Sequence, residues 1–162
     1  LSSAASDVYK RQMLAFTSMA AAAPSQVNRS MTAINAAKAE IPAVCELVGY
    51  NVDGDTSIIT FKDPNTLERY VVDVNTATAK VQEIEVKGAT FVMGSTMVTK
   101  TPDDIEKIVL KNYPNAYEIV ITQGQDGNNI YYIADFLTDK FDGELKLDPV
   151  TGAICERELE YF

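Results

Sequence analysis

From residue 101 onward the apolar positions follow two spacings in turn. Ile105, Ile108, Val109 and Tyr113 recur three to four apart, the period of one helix face. Thr101-Pro102-Asp103-Asp104 supplies the matching start, with threonine as N-cap, proline where a missing N–H costs nothing, and acids at the positive end of the helix dipole. Pro114 ends the helix. The period then drops to two: Tyr117, Ile119 and Ile121 alternate with Glu118, Val120 and Thr122, which predicts a strand. A turn at 125–129 and strands at 130–136, 143–148 and 153–159 complete a meander.

The same series stands earlier in the chain. A weaker helix over 30–40 (Met31, Ile34, Ala37) ends at Pro42, Cys45 and Leu47 flank Glu46, and Asp53-Gly54-Asp55 makes the first turn. Strands at 56–62, 68–74 and 80–86 follow. Aligning the halves pairs Pro42 with Pro114, Glu46 with Glu118, Val48 with Val120 and Ile58 with Ile130. After one inserted residue it pairs Val74 with Leu147, Asn75 with Asp148 and Val81 with Ile154. The predicted fold class is therefore α+β: two tandem repeats, each one helix packed on a roughly four-stranded antiparallel meander sheet. The first repeat spans 25–88 and the second 101–162, with a connector at 89–100. That connector carries Phe91, Val92, Met93, Met97 and Val98, and is expected to pack rather than swing.

The ends of the chain change the picture at one side only. Residues 1–12, LSSAASDVYKRQ, resemble a translated sequencing adaptor and are set aside from fold reasoning. Residues 13–23 are apolar, uncharged and close on a run of alanines, the pattern of a partial signal peptide with cleavage after Ala23. The expected location is exported, periplasmic or extracellular. The apolar run is too short to span a bilayer, so no stable membrane span is expected in the mature chain.

Charge and residue chemistry narrow the function classes. Formal net charge is −9, with nine acids against six bases over 25–88 and thirteen against six over 89–162. Such a balance repels phosphate backbones, so no nucleic-acid partner is expected. The chain has no histidine, which removes Ser-His-Asp and Cys-His arrangements and HExxH zinc sites. Asp53-Gly54-Asp55 and Asp126-Gly127-Asn128 lack the ligand series of a calcium loop and read as hairpin turns. No catalytic residues, cofactor or metal are expected. Cys45 and Cys155 lie at non-equivalent places in different repeats; an exported protein permits a disulfide between them, while Cys45 also fits as a buried thiol.

One motif is more specific. Leu145-Lys146-Leu147-Asp148-Pro149-Val150-Thr151-Gly152-Ala153-Ile154, following a helix, a Tyr-Pro stop and a turn containing Asp-Gly, resembles the PepSY domain. The first repeat matches more loosely, with Asn75 for the aspartate and Ala79 where glycine would sit. The tandem arrangement is also similar to β-lactamase-inhibitor-like proteins. This resemblance implies a binding module that restrains or docks on a protein partner, a secreted peptidase or an envelope protein, in place of a reaction; a structural protein of the bacterial envelope is the second reading. The residues predicted to bind a partner lie on the outward side of the second sheet: Glu118, Glu144, Lys146, Glu156 and Glu158, with Tyr131 and Tyr132 on opposite faces so that one serves as an anchor. The larger charge of the second repeat predicts that it is the recognition copy.

Overall fold

The computed structural model describes residues 24–88 and 94–162. The predicted adaptor and signal peptide lie outside those residues, as do Phe91, Val92 and Met93 of the connector. In chain order the elements are α1 (Pro24–Ala39), β1 (Glu46–Asp53), β2 (Thr56–Lys62), β3 (Arg69–Asn75), β4 (Val81–Lys87), α2 (Pro102–Asn112), β5 (Tyr117–Asp126), β6 (Asn129–Leu137), β7 (Phe141–Leu147) and β8 (Ile154–Tyr161). This is the predicted helix-plus-four-strand unit twice over. The first helix begins earlier than its apolar spacing suggested, at Pro24.

The two meanders are one sheet. Its order is β1-β2-β3-β4-β8-β7-β6-β5, every neighbour antiparallel, so the fourth strands of the two repeats pair with each other. In that seam Glu85 lies opposite Glu158. These two hold equivalent places in their repeats, so a local two-fold axis passes between them and relates the copies.

α2 forms because its ends are satisfied locally. Thr101 accepts from the Asp104 backbone N–H at 3.3 Å while the Asp104 carboxylate accepts from the Thr101 N–H at 3.0 Å, a reciprocal capping box. Its buried stripe is Ile105 and Val109. α1 lacks first-turn acids and buries only small side chains, Ala33 and Ala37. Both helices pack on the same face of the sheet, α1 over β2 and β3 and α2 over β5 and β6. On that face Ile59, Phe61, Val72, Val74, Ile84, Ala134, Phe136, Leu145 and Leu147 are all buried, which is the period-two alternation expressed as a core.

Polar contacts on this inner face tie the repeats together. Arg157 of β8 donates to Glu68 at 3.1 Å, Tyr70 donates to the same carboxylate at 3.0 Å, and Tyr161 donates to Glu40 at 3.1 Å. Burial, followed by these carboxylate neighbours, pushes the Tyr70 and Tyr161 phenols well above their ordinary range. The connector is docked from Gly94 onward. Ser95 exchanges two backbone hydrogen bonds with Ile130 at 2.8 and 2.9 Å, Thr99 and Lys100 donate to the Pro149 carbonyl, and Tyr132 donates to the Lys100 carbonyl at 2.8 Å. Met97 and Val98 are exposed, against the expectation that the apolar residues of this segment are buried.

One turn recurs three times. At Asp148-Pro149-Val150-Thr151-Gly152 the Asp148 carboxylate accepts from the Val150 and Thr151 N–H groups at 3.0 and 2.7 Å, and Gly152 closes the turn at φ +74°. Asn75 makes the same bonds to Ala77 and Thr78 at 3.1 and 2.9 Å, with Ala79 at φ +55°. The first repeat thus keeps the whole turn and not merely its Asx residue. The third copy, Asp63-Pro64-Asn65-Thr66-Leu67, has Asp63 accepting from Asn65 and Thr66 at 2.7 and 3.1 Å and Leu67 at φ +63°; sequence patterning did not reveal it.

Candidate protein-interaction face

Among the described residues neither helix covers the opposite face of the sheet, and the outward-pointing residue of each strand decides its character. Strand register places Asp135, Glu144, Glu158 and Glu85 side by side across β6, β7, β8 and β4. The next row over is Asp142, Glu160, Glu83 and Asp73, across β7, β8, β4 and β3. Eight carboxylates therefore form one block around the two-fold axis. A recess of about 180 Å³ is lined by five of them, Asp135, Asp142, Glu144, Glu158 and Glu160. On the other side of the Glu85 row the face turns basic, with Lys62 opposite Arg69 and Arg69 opposite Lys87. Lys87 pairs with Glu85 at 2.6 Å, and Lys146 lies 3.6 Å from Glu144 and 3.5 Å from Glu156.

Burial, and then this crowding, shifts the carboxyls. Partial burial raises the Glu83 carboxyl, and Glu158, Asp73, Glu160 and Glu85 raise it further. Glu158 rises by burial and then by Glu144 and Glu160, and Asp73 by burial and then by Glu85. Burial pulls the Lys146 ammonium down, but Glu156 and Glu144 outweigh it and the net shift is upward. Because the folded-state values of Glu83, Glu158 and Asp73 lie above their unfolded ones, their contribution to stability is fully present below the ordinary value, 4.5 for glutamate, and is lost as pH rises through the raised folded value. Asp104 and Asp148, held low by their bonds to Thr101 and Thr151, act in the opposite sense. The double change Glu83→Gln with Glu158→Gln is therefore expected to raise stability at neutral pH by roughly 1 kcal/mol, since like charges opposite one another in a sheet are destabilising. Thermal unfolding at pH 7 and at pH 4 checks this: the gain should shrink toward zero at the lower pH.

The predicted partner-binding residues divide on this surface. Glu144, Lys146, Glu156 and Glu158 are brought together, with Glu156 turned into its pair with Lys146. Glu118 lies away from them, at φ +51° in the irregularity that opens β5. Tyr132 is a correction: it is 2 % exposed and bonded to the Lys100 carbonyl, so it belongs to the core. Tyr131 does face outward, but its ring covers Gly124, the residue opposite it, where an added Cβ would come within 2.4 Å of the ring. Glu83 and Glu85, assigned to a supporting copy by the charge count, stand in the same block as Glu158 and Glu160. That block could not be read from either repeat alone, because the β4–β8 pairing assembles it. Both cysteines are free thiols, Cys45 buried and Cys155 half-buried, so the disulfide considered from sequence is not formed. Burial, before neighbouring carboxylates, raises both thiols above their ordinary range. Among the described residues no group of three or more Asp, Glu or Cys side chains is arranged to hold a metal ion, and no helix is long and apolar enough to cross a membrane.

Comparison with known proteins leaves the architecture as the firm result. No family model matches the chain, and no curated protein matches it. A solved structure of a putative lipoprotein from Clostridium difficile 630 is 18% identical, covering 79% of this chain and 90% of its own, with a TM-score of 0.32. A solved BLIP-like protein from Bacteroides fragilis NCTC 9343 is 12% identical, covering 80% and 85%, with a TM-score of 0.34. At these values neither carries an argument, and what stands is the architecture of the chain itself: tandem helix-sheet repeats of α+β class sharing one antiparallel sheet.

Proposed function

We propose that this chain is an exported, non-enzymatic binding module of PepSY-like design, which lays the bare face of its sheet against a basic surface of a protein partner, a secreted peptidase or an envelope protein. The observation that carries this reading is the block of eight carboxylates on a face that neither helix covers. Grouping like charge on one face costs stability, as the raised carboxyls of Glu83 and Glu158 indicate, and a basic partner would relieve that cost. Lys62, Arg69 and Lys87 at the border would fix the orientation of docking, because a wrongly placed basic surface meets them as like charge.

The test is charge reversal after a partner has been captured. Glu144, Glu156 and Glu158 changed together to lysine should slow association by about tenfold or more at low salt, with the difference shrinking as salt screens over a Debye length of about 8 Å. The seam places Glu83 and Glu85 in the same block, so changing these two to lysine should slow association comparably. Thermal melts of the variants separate this from unfolding. Association that ignores both changes and is insensitive to salt would sink the proposal.

A further inference from the structure

Among the described residues the sheet has two free edges, β1 and β5, which hold equivalent positions about the two-fold axis but are finished differently. β5 is guarded. Its first turn is broken by the irregularity between Tyr117 and Val120, with Glu118 forced to φ +51°, and its outer half is polar through Thr122, Gln123 and Gln125. β1 reads Glu-Leu-Val-Gly-Tyr-Asn-Val-Asp, with no lysine, arginine or proline, the usual deterrents to edge pairing. It carries Leu47, Val48, Tyr50 and Val52 at 44, 59, 37 and 47 % exposure, and α1 packs on β2 and β3 beside it. Leu47, Tyr50 and Val52 stand opposite Phe61, Ile59 and Ser57, so they extend the core face outward and leave it open. The irregularity in β1 falls at Leu47–Gly49, which leaves Gly49 to Asp53 in unbroken register. Asp53 and Thr56 flank a two-residue turn and close the hairpin as a hydrogen-bonded pair. The antiparallel alternation then directs the N–H and C=O groups of Tyr50 and Val52 away from β2, toward the open edge.

We infer that β1 is a docking edge for an extended strand of another protein, added antiparallel or parallel beside Gly49–Asp53, with apolar side chains on the face of Tyr50 and Val52 and basic residues at its ends. The backbone groups of Tyr50 and Val52 supply the ladder, and Leu47, Tyr50 and Val52 supply the apolar contact. Charge selects the occupant. β1 and its turn carry Glu46, Asp53 and Asp55 and no base, so two β1 strands side by side gather six carboxylates along one seam; a second copy is disfavoured and a strand with basic ends is favoured. This edge is separate from the carboxylate block, and its use does not depend on the sheet face being a binding surface.

The probe is an end-blocked heptapeptide of alternating valine and threonine with lysine at both ends, added to the full chain and followed by amide hydrogen exchange and heteronuclear NMR. The expected result is saturable binding, with new protection confined to the Tyr50 and Val52 amides and shifts confined to β1. The variant Val52→Pro removes an outward N–H without breaking a bond to β2, so it should keep the melting temperature and weaken binding by about tenfold or more. A peptide with glutamate at both ends should bind more weakly by a similar factor. Equal binding by Val52→Pro, protection elsewhere, equal binding of the acidic peptide, or self-association that protects these two amides without peptide would each overturn the inference. So would a failure of the lysine-ended peptide to bind at millimolar concentration.

Discussion

Gly94→Ala is expected to lower stability by about 3 kcal/mol, the combined effect of left-handed strain of roughly 1–2 kcal/mol and of two backbone hydrogen bonds of roughly 1 kcal/mol each. Gly94 adopts φ +74°, and a Cβ there would lie 2.2 Å from the Ile130 carbonyl oxygen and 2.7 Å from its carbon. Both obstacles are backbone atoms, so no change of rotamer relieves them. To make room, the connector must lift away, and the paired bonds between Ser95 and Ile130 go with it. Urea unfolding should show the loss, and the Ile130 amide should exchange faster with hydrogen than other β6 amides. Unchanged stability would mean that the connector is held at its far end, by the bonds of Thr99 and Lys100 to Pro149 and of Tyr132 to the Lys100 carbonyl.

The recurrent turn yields a pair of opposite effects. Gly152→Ala should cost about 1–2 kcal/mol, because an L residue at φ +74° is strained and the new methyl meets the Ile108 side chain at 2.5 Å. Ala79→Gly and Leu67→Gly should each stabilise by about 0.5–1 kcal/mol, since the strain removed exceeds the extra freedom given to the unfolded chain. Leu67 is exposed, so little packing is lost with its side chain. Denaturation midpoints of the three variants decide the matter, and a stabilising Gly152→Ala would contradict the account. The prediction is unusual in direction, because glycine normally weakens a structure.

How much of this was visible in the sequence depends on the range of the interaction. The Thr101 N-cap, the proline stops and the strand alternation are local, and each is found where the residues place it, apart from the irregularities early in β1 and β5. The repeat frame was right at Asn75 and Asp148 but slipped by one residue at β2. Ile58 and Tyr131 point outward at equivalent places, and Ile59 and Tyr132 inward, because the irregularities in β1 and β5 fall at different positions. A slip of one residue exchanges the two faces of a strand, and the adjacent tyrosines show what that decides: Tyr131 faces outward while Tyr132 belongs to the core. The seam was invisible for a different reason. A strand such as Val81-Gln82-Glu83-Ile84-Glu85-Val86 specifies which side is buried but not which strand will lie beside it. The carboxylate block depends on that choice. Of its residues the sequence singles out Glu144 and Glu158, while Asp73, Asp135, Asp142 and Glu160 join them only through the pairing.

The β4–β8 seam also sets the order in which the molecule can form. Of the seven strand ladders among the described residues, six join strands adjacent in the chain, and only this one reaches across both repeats. Local hairpins close in microseconds, whereas a distant pairing waits on a costly search through chain conformations. The halves should therefore zip first and meet last, with seam substitutions such as Ile84→Ala or Leu159→Ala speeding unfolding while leaving the folding rate nearly unchanged. During synthesis the first repeat emerges with β4 as an unpaired edge, and until β8 arrives any other β4 in reach is a competing mate. Domain-swapped dimers formed on concentrated refolding are the error this architecture invites.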